Sequence, residues 1–418
     1  MGLQLTIHPS GVKGAVAAPA SKSVAQRAIA ASLLVHGETV VTGYTESDDS
    51  LAALDIIQNL GARVAFDKEL KINGNPPAGK LRQISLNCGE SGLSSRLFAP
   101  LSLLYSRDVT INGRGSLLQR PFGSLMKCAF EQMGIKYGDI DGRLPVRLCG
   151  ELSAKELIID GSHGSQFLSG VLMTLPLLSH DSIVTVRNLR SKPYIDLTLE
   201  VLSRFGIEVR HSDYEVFRIK GKQTCRSGDF HIEGDWSGAS CLLVAGAIAG
   251  DVEMVNLNCD SHQADRRIME VLKTVGAVIE INNLSVKVSK NELHPFTFDA
   301  TDSPDLFPAL VALAVNCHGV SEIKGISRLS TKESNRALTL QSEFNKLGST
   351  IELRNDYMII HGARRITGAF VNSHNDHRIA MALATAALNS ASPVTINNAE
   401  CVNKSYPCFW KDMEKVKV

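Results

Sequence analysis

The chain predicts an α/β protein made of six copies of one unit, each reading strand, apolar helix, strand, amphipathic helix, strand. Three recurrent marks carry that expectation. The first is a set of small, polar, often glycine-rich helix starts near Pro19 (P-A-S-K-S-V-A-Q-R), Gly89 (G-E-S-G-L-S-S-R), Gly161 (G-S-H-G-S-Q-F), Gly234 (G-D-W-S-G-A-S), Thr301 (T-D-S-P-D-L) and His374 (H-N-D-H-R). The second is an apolar residue and a glycine closing an amphipathic helix, at Leu60-Gly61, Met133-Gly134, Phe205-Gly206, Val275-Gly276 and Leu347-Gly348. These glycines lie 73, 72, 70 and 72 residues apart, and glycine just past a helix end is the ordinary stop signal. The third is a run of valine and threonine between turn signals, which favours strand. Independent marks with one spacing indicate internal repetition.

In chain order, Leu3 to Ile7 reads as a strand left over before the first unit. Ala30 to Leu34 lacks a polar face, so that helix should be buried. Val40-Val41-Thr42 follows as a strand, and the helix closing at Gly61 is amphipathic. Val109-Thr110-Ile111 marks the same strand in the second unit; the third has the apolar helix Phe167 to Leu178 and the strand Ile183 to Val186. Leu242 to Ile248 and Val252 to Val255 belong to the fourth, and the fifth runs from Thr301 to the helix stop at Gly348. Ile379 to Leu388, Val394-Thr395-Ile396 and a last helix at Phe409 to Val416 form the sixth. A chain of 418 residues exceeds what one core usually organises. Two domains of three units are therefore expected: residues 19–232, and residues 233–418 completed by 1–18, with hinges near 18–20 and 230–234. One continuous solenoid is the competing arrangement.

Composition narrows the class. A net charge of +1 and a pI near 7.6 provide no global basic surface for nucleic acid or anionic membrane. No apolar run approaches a membrane span, and M-G-L-Q-L-T-I-H begins a strand rather than a signal peptide, so a cytoplasmic protein is expected. The nine cysteines form no C-x-x-C pair and several, such as Cys128 and Cys241, fall within helical patterns. They read as buried free thiols, with no structural metal site. Gly113-Arg114-Gly115 is a glycine turn without a Walker lysine, and no P-loop, G-x-G-x-x-G or Ser-His-Asp signature is evident.

The first turn of a helix offers unpaired N–H groups and a positive dipole end, so six polar helix starts suggest a converging anion site. Basic residues accompany them: Lys22 and Arg27 around Ser23, Arg96, Arg120 before Pro121, Lys332 and Arg336 on one helix face flanked by Glu333, Arg378 after Asp376-His377, and Lys404. Each alone also reads as a solvated charge. Beside glycines, serines and buried helices, the group points to ligands with several negative charges, for which arginine offers bidentate contacts. Asp305, Glu333 and His377 are the candidates for proton chemistry. Asp305 equally reads as an N-cap and Glu333 as an ion-pair partner.

Four strings are more specific: S-K-P-Y-I-D at Ser191, D-G-S-H-G-S-Q-F-L at Asp160, K-E-S-N-R at Lys332 and N-D-H-R-I-A-M-A at Asn375. With P-A-S-K-S at Pro19 and N-K-S-Y-P at Asn403, the chain resembles the 5-enolpyruvylshikimate-3-phosphate (EPSP) synthase family along nearly its whole length. The resemblance implies a two-domain inside-out α/β barrel, each domain holding three copies of the β-α-β-α-β unit, which closes around shikimate 3-phosphate and phosphoenolpyruvate. It implies that Ser23, Arg27, Ser165, Gln166, Ser191 and Tyr194 hold shikimate 3-phosphate, with Lys22, Asp305, Arg328 and Lys332 also on the shikimate side. Lys22, Gly92, Arg120, Gln166, Arg336, Arg378 and Lys404 would hold phosphoenolpyruvate. Five positions depart from the family pattern: Glu90 and Arg328 stand where asparagine is usual, Leu93 for a threonine, Gly164 for a serine and Asn335 for an aspartate.

The implied reaction is addition and elimination, with Asp305 as base for the 5-hydroxyl and Glu333, or alternatively Lys22, as acid for the methylene carbon. His377 would orient these groups or transfer protons. No metal or organic cofactor is called for, and a monomer is expected. Three alternatives remain. A UDP-N-acetylglucosamine enolpyruvyl transferase shares the fold but places a reactive cysteine before Arg120, and residues 113–119 contain none. A non-catalytic anion-binding module would keep the basic cleft without needing Lys22, Asp305, Glu333 and His377 together. An RNA-phosphate-processing relative would need a nucleotide site that the sequence does not display.

Overall fold

The computed structural model describes residues 2–362 and 365–418, with Ser124 and Leu125 by their backbone alone. These residues form two compact units: Lys22–Ile232, and the chain up to Ser21 together with Glu233–Val418.

In the unit Lys22–Ile232, three four-stranded sheets share one strand order. Glu38–Thr42 pairs with Phe230–His231 in parallel and with Leu70–Asn73 antiparallel, and Arg63–Phe66 completes that sheet. Asp108–Asn112 occupies the same place between Ile84–Asn87 and Arg143–Gly150, as does Ser182–Arg187 between Glu156–Asp160 and Val216–Ile219. The strand before each antiparallel pair follows an apolar helix, namely Lys22–Leu33, Gly92–Ser102 and Gln166–Thr174. The last two cross closely at Gly170, where a side-chain carbon would lie 2.5 Å from the Leu97 carbonyl oxygen.

The other unit repeats the plan. Gly250–Val255 lies between Val12–Ala17 and Ser285–Ser289, and Gly319–Lys324 between Thr297–Asp299 and Tyr357–Gly362. In the sixth sheet, Val394–Asn397 pairs in parallel with Phe370–Asn372, and the antiparallel partner is Gln4–Ile7. The leftover strand thus completes the last repeat. Trp236–Ala249, Phe307–Ala314 and His377–Ala387 pack on one another as the buried core helices.

All five helix-closing glycines, Gly61, Gly134, Gly206, Gly276 and Gly348, adopt positive φ between 78° and 96°, the left-handed conformation that ends a helix at little cost for glycine. Three local expectations fail. Lys332 and Glu333 lie in a turn and the helix begins at Arg336, so Lys332 and Arg336 do not share a helix face. Pro121 precedes its helix, Ser124–Gln132, rather than opening it. Of the cysteines read as buried, Cys128 and Cys408 are exposed. No helix among the described residues is long and apolar enough to cross a membrane.

Candidate active site

Each unit carries a cluster of the expected residues at its helix starts. In Lys22–Ile232, Lys22 opens the first core helix and its ammonium pairs with Asp49 at 3.0 Å. One turn on, the buried Gln26 amide oxygen accepts from the Ser91 and Ser94 hydroxyls, each at 2.8 Å, and ties this helix to the next. Gly92 opens that second helix. A side-chain carbon there would lie 3.0 Å from an Arg120 nitrogen and 3.1 Å from one of Arg96, so glycine leaves bare backbone beneath two guanidinium groups. Arg96 also donates to Gln166 at 3.3 Å. Burial, then the charge of Arg120, lowers the Arg96 pKa to about 10.

Arg120 donates to the Ser116 hydroxyl at 3.1 Å, and that hydroxyl donates to Glu90 at 2.7 Å. Glu90, one of the departures, therefore braces the turn that delivers Arg120. Gly164 has φ +118°, where a serine would be strained. Ser165 and Ser191 are buried, and Ser191 holds a left-handed φ of +61°. Arg27 is enclosed: it donates to Thr198 Oγ1 at 2.8 Å, the Ser23 carbonyl at 2.8 Å, and Ser169 Oγ and the Tyr194 carbonyl at 3.2 Å each. Four of its five donors thus fix the walls of the cluster, including the backbone of Tyr194.

The second cluster centres on Arg336, which is fully buried. It donates to Asp305 at 2.7 Å, to Glu333 at 2.6 Å and to Asp376 at 2.8 and 3.1 Å. Asp305 also meets Lys332 at 3.1 Å and Arg378 at 3.8 Å. Asp305 sits inside the 3-10 turn Pro304–Leu306, and its carboxylate turns to these cations, in place of the N-cap role its position allowed. Burial alone would raise its pKa, but Lys332, Arg378 and Arg336 outweigh burial and hold it well below the usual carboxylate range. Burial lowers the Lys332 pKa despite Asp305. His377, buried against Asp376 at 3.9 Å, opens the core helix beside Arg378. Lys404 is buried at the end of the turn Ala399–Lys404, and Arg328 lies close enough to Lys332 to depress its pKa further.

Four participants escaped the sequence reading. Asp376 stood within N-D-H-R and Asp49 within an acidic helix start, so both had a signal; Gln26 had only its place in the first motif. Asp265 had none. It is buried, bonded to the Ser237 hydroxyl, and its other oxygen has no hydrogen-bond partner. Burial, then the charge of Asp305, raises its pKa to about 7. An unfolded aspartate loses its proton near pH 3.9, so between about pH 4 and pH 7 the folded chain holds a proton that the unfolded chain has released, and stability falls as pH rises across that window. Asp265→Asn should flatten that fall, measured as Tm against pH beside the parent protein. An unchanged slope would show that Asp265 does not titrate there.

The model for the EPSP synthase (3-phosphoshikimate 1-carboxyvinyltransferase) family matches residues 7–413. The chain belongs to the EPSP synthase family. A 3-phosphoshikimate 1-carboxyvinyltransferase of Clostridium novyi (strain NT) is 36% identical over 423 residues, covering 99% of this chain and 97% of that protein. One of Clostridium acetobutylicum is 37% identical over 416 residues, covering 98% and 96%. An EPSP synthase structure from Acinetobacter baumannii superposes with a TM-score of 0.82 at 26% identity, over 99% of this chain and 98% of that one. The fold is thus the two-domain α/β architecture of EPSP synthases. Among the described residues, no group of three or more His, Cys, Asp or Glu side chains could hold a metal ion.

Proposed function

We propose that the chain transfers the enolpyruvyl group of phosphoenolpyruvate to the 5-hydroxyl of shikimate 3-phosphate and releases phosphate. One observation carries this reading for a member of the EPSP synthase family: Asp305, Lys332, Arg336 and Arg378 share a single set of contacts, so a carboxylate base stands among anion-binding cations. Ser23, Ser165, Ser191 and Gln166 supply polar contacts for shikimate 3-phosphate, Tyr194 packs on its ring, and Arg27, Arg328 and Lys332 complete that side. Lys22, the Gly92 backbone, Arg120, Gln166, Arg336, Arg378 and Lys404 take phosphoenolpyruvate.

In the addition step the 5-hydroxyl oxygen bonds to C2 of phosphoenolpyruvate, its proton passes to Asp305, and the methylene carbon takes a proton from Glu333. In the elimination step the new methyl group returns a proton to Glu333, the bond from C2 to the phosphate oxygen breaks, and Asp305 protonates the departing phosphate. Lys22, Arg120 and Lys404 stabilise its charge. A carboxylate held by three cations is a weak base, and Glu333 is engaged by Arg336 at 2.6 Å. Both roles therefore require that the substrate anions draw the cations away first. Chemistry is thereby coupled to occupancy. We place the chain as a cytoplasmic monomer, with hinges near residues 18–20 and 230–234; scattering should report compaction when shikimate 3-phosphate and a phosphoenolpyruvate mimic are added together.

Phosphate release on incubation with both substrates tests the reaction itself, and no release would reject it. The assignment of residues is tested by titrating shikimate 3-phosphate alone. Ser165→Ala should weaken its binding by about tenfold, the scale of one hydrogen bond to a charged group, whereas Arg378→Ala should leave it nearly unchanged. Equal losses would contradict the division of labour.

A further inference from the structure

Glu343 is fully buried, yet it lies outside every role assigned above. It stands seven residues beyond Arg336 on the helix Arg336–Lys346, two turns along and so on the same face. Its carboxylate accepts from His374 Nε2 at 2.7 Å, from the backbone N–H of Asn372 at 2.9 Å and from Lys346 at 2.8 Å to each oxygen. His374 comes from the turn that precedes the core helix His377–Ala387, and Asn372 ends the strand Phe370–Asn372 that enters that turn.

That turn has an unusual backbone. His374 and Asn375 hold left-handed φ values of +53° and +56° in succession, a conformation that costs a non-glycine residue and persists only when its surroundings enforce it. Local bonds enforce part of it: the His374 N–H donates to Asn372 Oδ1 at 2.6 Å and the Asn375 N–H to Ser373 Oγ at 3.1 Å. The next residue is Asp376, which Arg336 grips through two donors and whose carboxylate caps the N–H of Arg378 at 3.1 Å. One helix thus holds one turn at two points. The His374 side chain is still 43% exposed, so its place against Glu343 is not imposed by packing.

We infer that Glu343 and His374 are positioning residues for phosphoenolpyruvate: by pinning the strained turn they fix where Arg336 and Arg378 present their guanidinium groups. The inference rests on the reading that these arginines bind phosphoenolpyruvate. Charge-assisted hydrogen bonds to a buried carboxylate have the directionality such a brace needs. Lys346 pairs with Glu343 from its own helix and the Asn372 N–H bonds it as well, so the carboxylate keeps partners when His374 is replaced.

The test compares steady-state kinetics of His374→Asn and His374→Gln with the parent enzyme. Asparagine tolerates the left-handed conformation but is too short to reach Glu343, whereas glutamine restores a donor of the required length. His374→Asn should raise KM for phosphoenolpyruvate by about tenfold, the scale of one charged hydrogen bond. It should leave kcat and the dissociation constant for shikimate 3-phosphate nearly unchanged, and His374→Gln should recover most of the loss. An unaltered KM for phosphoenolpyruvate in His374→Asn, equal losses for both substrates, or no recovery in His374→Gln would overturn the inference. Arg378→Ala, assayed in parallel, separates the two levels. If it raises KM for phosphoenolpyruvate while His374→Asn does not, only the positioning role fails. If it does not raise KM, the binding assignment fails and this inference with it.

Discussion

Asp305→Asn should abolish most turnover while preserving the fold and the binding of shikimate 3-phosphate. An amide cannot take the hydroxyl proton, and loss of a positioned base costs about 10²–10⁴-fold. The surrounding charges add a second signature. Asp305 is the carboxylate shared by Lys332, Arg336 and Arg378; neutralising it leaves those cations less satisfied and more available to an anion. KM for phosphoenolpyruvate should therefore hold or fall as kcat collapses. A residue needed only to shape the site would give the reverse, with affinity and turnover lost together. Near-normal kcat in Asp305→Asn would leave the base unassigned.

Arg336→Met should have the largest effect on stability. The side chain is fully buried among Asp305, Glu333 and Asp376. Removing it leaves three carboxylates facing one another, and breaking a buried ion pair from one side typically costs about 3–5 kcal/mol. Because the two units have separate cores, calorimetry should show an early transition for the unit that contains Arg336 and a nearly unshifted one for Lys22–Ile232. Arg336→Lys should fall between, since one ammonium cannot reproduce a planar fork that serves three acceptors. A single transition at the parent temperature in Arg336→Met would refute the account of this cluster.

Periodic features were the legible ones. The helix-closing glycines, the valine-rich strands and the apolar helices each follow from local rules, and the strand left over at Leu3 to Ile7 found its partner in Val394–Asn397. K-E-S-N-R has the spacing of a helix, yet the chain turns at Lys332 and starts its helix only at Arg336. The polar partners were legible only where a motif enclosed them. Asp265 sits between ordinary neighbours in sequence, and only burial beside Asp305 makes it unusual. Arg27 was visible as a cation but not as a brace, because its acceptors Ser169, Tyr194 and Thr198 lie more than a hundred residues away along the chain.

Strands Gln4–Ile7 and Val12–Ala17 complete sheets whose other members lie beyond residue 249. During synthesis this has a temporal meaning. At about 5–20 residues per second, the partner of Gln4–Ile7 is made roughly 20 seconds or more after it. Lys22–Ile232 contains all of its own strands and can fold while the ribosome is still working. The segment made before it cannot; it waits as an unpaired edge until its partners are made. Lys13, exposed in the second strand, puts a charge on that edge, and so limits what the waiting strand can capture before its own sheet arrives.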